Sequence, residues 1–220
     1  MFIGHYAVAF AAKKSAPKVS LGTFFLAVQF LDLLWPILLL LGVEHVRIDP
    51  GNTPFTPLDF FDYPVSHSLV TSLLYSLAFA LIYYLLRHDR IGAAVLALGV
   101  FSHWLLDFVT HRPDLPVSPW SGDRLGLGLW NSIPATLLVE SVLFAGGVIL
   151  YARSTIALDR TGRFAFWSLA GFLALAYIAN LLSPPPPSVT PVAIGSLAFW
   201  LLVPWGYWVD RHRNLRPFIL

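Results

Sequence analysis

The decapeptide SHWLLDFVTH, residues 102–111, carries His103, Asp107 and His111 at intervals of four. In a helix each step of four advances about 400°, so all three share one face. An imidazole and a carboxylate one turn apart can ligate a divalent ion together, as two His at that spacing do in HExxH sequences. The segment follows IGAAVLALGVF, apolar enough to lie in a bilayer. An ionisable group facing lipid there costs about 2.5–3.5 kcal/mol. These residues must therefore face one another, water or an ion.

Other ionisable residues fall at similar depth. Counting about 1.5 Å per residue from the basic flank of each apolar run places His5 about 12 Å in, Asp32 and His103 about 18 Å, Glu140 about 20 Å and Asp107 about 24 Å. His67 enters at the far boundary. Three His (5, 67, 103) and two Asp (32, 107) make a ligand set for a divalent ion, zinc first, with manganese or iron as alternatives. The chain has no Cys, so only imidazole and carboxylate are on offer. His111, at a helix end, reads as interfacial, and His45, His88 and His212 sit among loop or flanking charges. A polar residue inside a membrane also serves as a plain helix-to-helix hydrogen bonder, and for Asp32 and Glu140 that reading stands beside the functional one.

The elements that position these residues follow from composition. Of 220 residues, 57% are hydrophobic and 12% charged, half the charge of an ordinary soluble domain. Six apolar runs are each long enough to cross about 30 Å of hydrocarbon: Leu21 to Val43, His67 to Leu86, Ile91 to Val109, Ser132 to Ala152, Phe164 to Leu182 and Pro191 to Val209. The piece MFIGHYAVAFAA before Lys13 and Lys14 does not read as a secretory signal, since its charges follow its apolar part; at about 18 Å it is a short N-terminal half-span or interfacial helix. The expectation is an all-α, polytopic membrane helical bundle of about six transmembrane helices plus that half-span. All 220 residues read as one integral membrane domain, with the motifs in 1–130 and further helices in 131–220.

Alternate connecting segments hold 11 of the 14 Lys and Arg. The positive-inside tendency then puts the amino-terminal basic patch and the carboxyl terminus on the cytoplasmic side of the inner membrane. A net charge of +2 with no basic stripe among exposed aromatics argues against a nucleic-acid partner. The outer loops 44–66 and 112–131 are rich in Pro, Gly, Asp and aromatics, a composition that could roof a site. The loop SPPPPSVTP reads as a polyproline spacer without chemistry. Pro36 cannot donate to the carbonyl of Asp32, which predicts a kink at that turn. Ser66 reads as the cap of the following helix, leaving His67 at a helix start where free NH groups favour an anion.

With GHYAVAFAAKK, Asp32, the HSL tripeptide at 67–69 and SHWLLDFVTH in view, the chain resembles the YdjM-like family of inner-membrane proteins. That family is described as membrane-bound metal-dependent hydrolases distantly similar to zinc-dependent phospholipase C. The resemblance covers roughly residues 1 to 130 and implies that His5, Asp32, His67, His103 and Asp107 occupy metal-binding positions. The family often has Pro before its first acidic residue; here that residue is Leu31, and no second Asp follows to make a DxD-like pair for a second ion.

Such a site would acidify a bound water and polarise a phosphoryl or acyl oxygen, with Asp107 or Glu140 as the general base. Its depth beneath aromatic loops implies an amphiphilic ester or lipid-linked substrate, entering from membrane lipid on the outer face. Two other classes use the same residues: a proton- or metal-ion-coupled transporter, and a non-enzymatic scaffold whose polar groups pin helices. The lack of inverted halves or stepping-stone charges toward the cytoplasm weighs against transport.

Overall fold

The computed structural model describes residues 1–216. The chain opens with α1 (Ile3–Ala12), the expected half-span. The first long run is not one helix: α2 (Leu21–Val28) and α3 (Phe30–Leu40) meet at Gln29 with a bend of 54°. The antiparallel hairpin β1 (His45–Ile48) and β2 (Leu58–Asp62) follows. The one-turn helix α4 (Pro64–His67) leads directly into α5 (Leu69–Arg87), then α6 (Arg90–Thr110). A two-residue ribbon, β3 (Leu115–Pro116) with β4 (Arg124–Leu125), closes the loop between α6 and the next helix. Then come α7 (Ile133–Ser154), β5 (Thr155–Ala157) and α8 (Arg160–Leu182). The last run divides into α9 (Val189–Ser196), a 3-10 turn (Leu197–Leu201) and α10 (Leu202–Arg211), after which β6 (Arg213–Leu215) pairs with β5.

Among the described residues five helical stretches are long and apolar enough to cross a membrane, or six if the bent pair counts as one span. Their outward faces are oily: Leu74, Leu77, Leu81 and Leu85 line the exposed side of α5. In water such a surface would drive aggregation, whereas against lipid it costs nothing. The inner core gathers Phe10, Phe25, Phe144, Tyr151 and Phe166, which pack edge to face around α1. Thus the half-span sits at the centre of the bundle. It gets there because α7 offers Gly147 to it, where an added Cβ would lie 2.5 Å from the carbonyl oxygen of Ala7. The α2 and α10 backbones approach as closely, at Gly22 and Gly206.

The two ends of the bundle differ. At one end Lys13 pairs with Asp210 at 2.6 Å and Arg213 reaches Thr155 and Gly162. At the other, Arg47 pairs with Asp59 inside the hairpin, and Arg112 and Arg124 tie the hairpin to the 112–131 loop.

The kink expected at the Asp32 turn below Pro36 is displaced. The sharp bend falls three residues before Asp32, at Gln29, where His103 from another helix claims the Val28 carbonyl, and Pro36 lies within α3.

Candidate metal centre and cavity

Four elements deliver the five residues. Asp32 stands in the first turn of α3, just past the bend, His67 ends α4, His103 and Asp107 lie one turn apart on α6, and His5 is on α1. The structure brings all five together.

His103 Nδ1 lies 2.7 Å from the carbonyl oxygen of Val28. A carbonyl only accepts, so Nδ1 carries the proton and donates. Nε2 then enters the cluster with a free lone pair, fully buried and without a hydrogen-bond partner. His67 is set the same way through a relay. Ser66 Oγ donates to Glu44 Oε2 at 2.6 Å and so accepts from His67 Nδ1, also 2.6 Å away. Outer partners of this kind fix the tautomer and aim of metal-binding imidazoles.

Two imidazole lone pairs consequently face two carboxylate oxygens. His103 Nε2 is 3.2 Å from Asp107 Oδ2 and 3.7 Å from Asp32 Oδ1; His67 Nε2 is 3.5 Å from Asp32 Oδ1 and 3.8 Å from Asp107 Oδ2. Lone pairs gathered this closely repel unless a cation or a shared proton lies among them. A tetrahedron of ligands about 2.0–2.1 Å from zinc has edges of about 3.3–3.4 Å, so the imidazole–carboxylate gaps of 3.2–3.8 Å suit His67, His103 and one carboxylate as ligands of such an ion, with its fourth position open.

His5 approaches from the opposite side. Its Nε2 is 3.1 Å from Asp107 Oδ1, and its ring stacks on His103 at 3.7 Å between centroids. The Met1 amino group contacts the same oxygen at 2.6 Å. His5, His103 and Asp107 form one group of possible ligands, and Asp32, His67 and His103 another. One imidazole nitrogen binds one ion, so the two groups cannot both be filled through His103.

Glu140 is buried on α7 at the start of α1. Its Oε2 accepts from the Phe2 and Gly4 amides at 2.9 and 3.2 Å, which makes it a cap for α1, while Oε1 has no partner. Ser66 does not cap the long helix as expected. Ser68 does, accepting from Thr71 N at 3.2 Å, because Glu44 reaches over from the preceding loop and takes the Val65 and Ser66 amides at 2.8 and 2.7 Å. His67 is therefore at the end of a short turn, and the amides expected to attract an anion already hold a carboxylate. Burial pushes the Glu44 carboxyl above its ordinary range, opposed by the Ser66 hydroxyl and amide.

The cluster forms one end of a cavity of about 480 Å³ that Asp32, His67 and Asp107 border. Phe55 and Phe60 from the hairpin loop and Trp130 from the 112–131 loop roof it. Ala176 of α8 and Val192 and Gly195 of α9 also line it. The proline loop, expected to be a bare spacer, also contributes Pro184 and Pro186 to the wall, since the break before α9 folds it back over the bundle.

His111 differs from the interfacial residue expected of it. It is buried, it borders the cavity, and its ring lies 4.3 Å from that of Trp130. The Asp114 side chain that holds it had no sequence signal, being one of several acidic residues in a loop. Nor did Glu44. His45 and His212 pair with Asp62 and Asp159 on exposed surface, and His88 occupies a left-handed helix end.

Comparison of the chain with protein-family models, curated proteins and solved structures finds no match.

Proposed function

We propose that this protein is a membrane-embedded, metal-dependent hydrolase of an amphiphilic phosphoester or related lipid-linked ester, working from the outer side of the inner membrane. The observation that carries the reading is the facing of His67 and His103 onto Asp32 and Asp107 across gaps of 3.2–3.8 Å. Both imidazoles have their outer nitrogens committed, to Ser66 and Val28 respectively. The motif resemblance to the YdjM-like family points the same way.

When bound, a divalent ion, zinc first, supplies Lewis-acid polarisation of the scissile oxygen and acidifies water at the site. The chain's own residues do the rest. His67, His103 and Asp107 are enclosed and hold fixed positions. Asp32, with 22% of its side chain exposed, borders the cavity and takes the proton from the attacking water. His5 steadies Asp107 through its second oxygen, and Glu140 keeps α1, and with it His5, in place. The aromatic roof excludes bulk water and receives the apolar part of the substrate. The basic end of the bundle faces the cytoplasm and the roofed end the outer leaflet.

Purified protein, His103→Ala and Asp107→Ala are to be compared for metal content and for zinc-dependent hydrolysis of phosphodiester probes. The reading expects about one ion per chain in the parent and loss of metal and activity in both variants. A metal-free parent protein whose stability ignores both substitutions would leave only a scaffold. Metal flux in proteoliposomes that depends on Asp32, without hydrolysis, would indicate transport.

A further inference from the structure

One buried imidazole lies outside the metal cluster and is aimed at the same cavity. His111 follows Asp107 by one turn of α6, its amide bonded to the Asp107 carbonyl at 2.8 Å. That places it about 6 Å farther toward the roof on the same helix face. Both of its polar contacts use Nδ1, which lies 2.9 Å from Asp114 Oδ1 and 3.2 Å from the Tyr63 hydroxyl. Tyr63 donates its own proton to Asp114 Oδ1 at 3.2 Å, so the Nδ1 proton points to an acceptor and Nε2 is left to the cavity that the ring lines. Asp114 does not swing. Arg112 Nε holds its other oxygen at 3.2 Å, and Arg112 is itself joined through Asp59 to Arg47. A carboxylate fixing one nitrogen while the other faces the reacting centre is how an imidazole is prepared for proton transfer.

We propose that His111, oriented by Asp114, donates the proton to the leaving group of the ester cleaved at the metal centre. This rests on the hydrolase reading. The water oxygen bonds to phosphorus or to the acyl carbon and its proton passes to Asp32. The bond to the leaving oxygen breaks, the electron pair stays on that oxygen, and His111, acting as the imidazolium with protons on both nitrogens and paired with the Asp114 carboxylate, passes its Nε2 proton to it. The products are the alcohol and the acid; the proton on Asp32 returns to His111 through solvent. The substrates that need this group are esters of alkyl alcohols, which leave poorly as alkoxides.

The test uses the full chain in detergent with zinc and two methyl phosphodiesters, one releasing p-nitrophenol and one releasing n-butanol. With parent protein both are cleaved. In His111→Ala the butyl ester slows about 10²–10⁴-fold, the nitrophenyl ester slows less than about 10-fold, zinc content per folded chain stays at the parent value, and the melting temperature falls because Asp114 loses a buried partner, with the chain still folded at the assay temperature. Equal slowing of both probes, no slowing of either, or loss of zinc in the variant overturns the assignment alone. A parent protein that holds zinc and cleaves neither probe overturns the hydrolase reading, and the proton donor falls with it.

Discussion

Replacing Glu44 by Gln changes almost no volume but reverses the logic of the relay to His67. As a carboxylate, Glu44 accepts from the Val65 amide at 2.8 Å, the Ser66 amide at 2.7 Å and the Ser66 hydroxyl at 2.6 Å. An amide cannot accept on both ends. If its carbonyl keeps the two backbone bonds, its NH2 meets Ser66 Oγ, which must turn its proton toward His67 Nδ1. The imidazole proton then moves to Nε2, the atom that faces Asp32 and Asp107. The opposite amide orientation points NH2 at two buried amides and forfeits both bonds, at about 1–3 kcal/mol each. The first orientation prevails, and Glu44→Gln is expected to fold but to bind zinc about 10–100-fold more weakly. That range equals about 1.4–2.8 kcal/mol. The assay is competition against a chromophoric chelator at neutral pH, with melting temperature as the folding control. Ser66→Ala, which keeps the Glu44 charge but removes the relay, should weaken binding as well. Zinc affinity within twofold of the parent in both variants would refute the tautomer argument.

Gly147→Val forces a side chain into the Ala7 backbone, and should cost about 1–3 kcal/mol while loosening α1; thermal unfolding and zinc content should fall together. Asp210→Ala removes the shared acceptor of Lys13, the Leu21 amide and the Tyr151 hydroxyl, and should cost about 3–5 kcal/mol. Because it lies at the far end, it should spare zinc content per folded chain, and depletion there would contradict the map. The Asp159 carboxyl is held below the ordinary carboxylate range by the Gly162 amide and then by the His212 ring. Its support for the start of α8 is present above the unfolded value of about 3.9 and is lost as pH falls through the lower folded value. The melting-temperature gap between parent protein and Asp159→Asn should therefore close toward acid, and a gap that widens would sink the assignment. Saturating zinc should raise the melting temperature by an amount that chelator reverses, about 2.7 kcal/mol at 100 times Kd.

The bundle of long apolar helices, and the positions of ionisable residues along them, could be read from the chain alone. Hydropathy is summed over some 20 consecutive residues, and helical rise is constant, so neither needs a partner. The grouping of His5, Asp32, His67, His103 and Asp107 was legible because polar atoms in hydrocarbon have few permissible neighbours. Tertiary structure decided everything that depends on who meets whom. The bend is at Gln29 and not at the Asp32 turn, with His103 from another helix claiming the adjacent Val28 carbonyl. Glu44 displaces Ser66 from its capping role by arriving from a loop 22 residues away. His111 turns inward because Asp114 and Trp130 fold back over it. Each of these is a hydrogen bond or contact across the fold, chosen by geometry that periodicity along the chain does not contain.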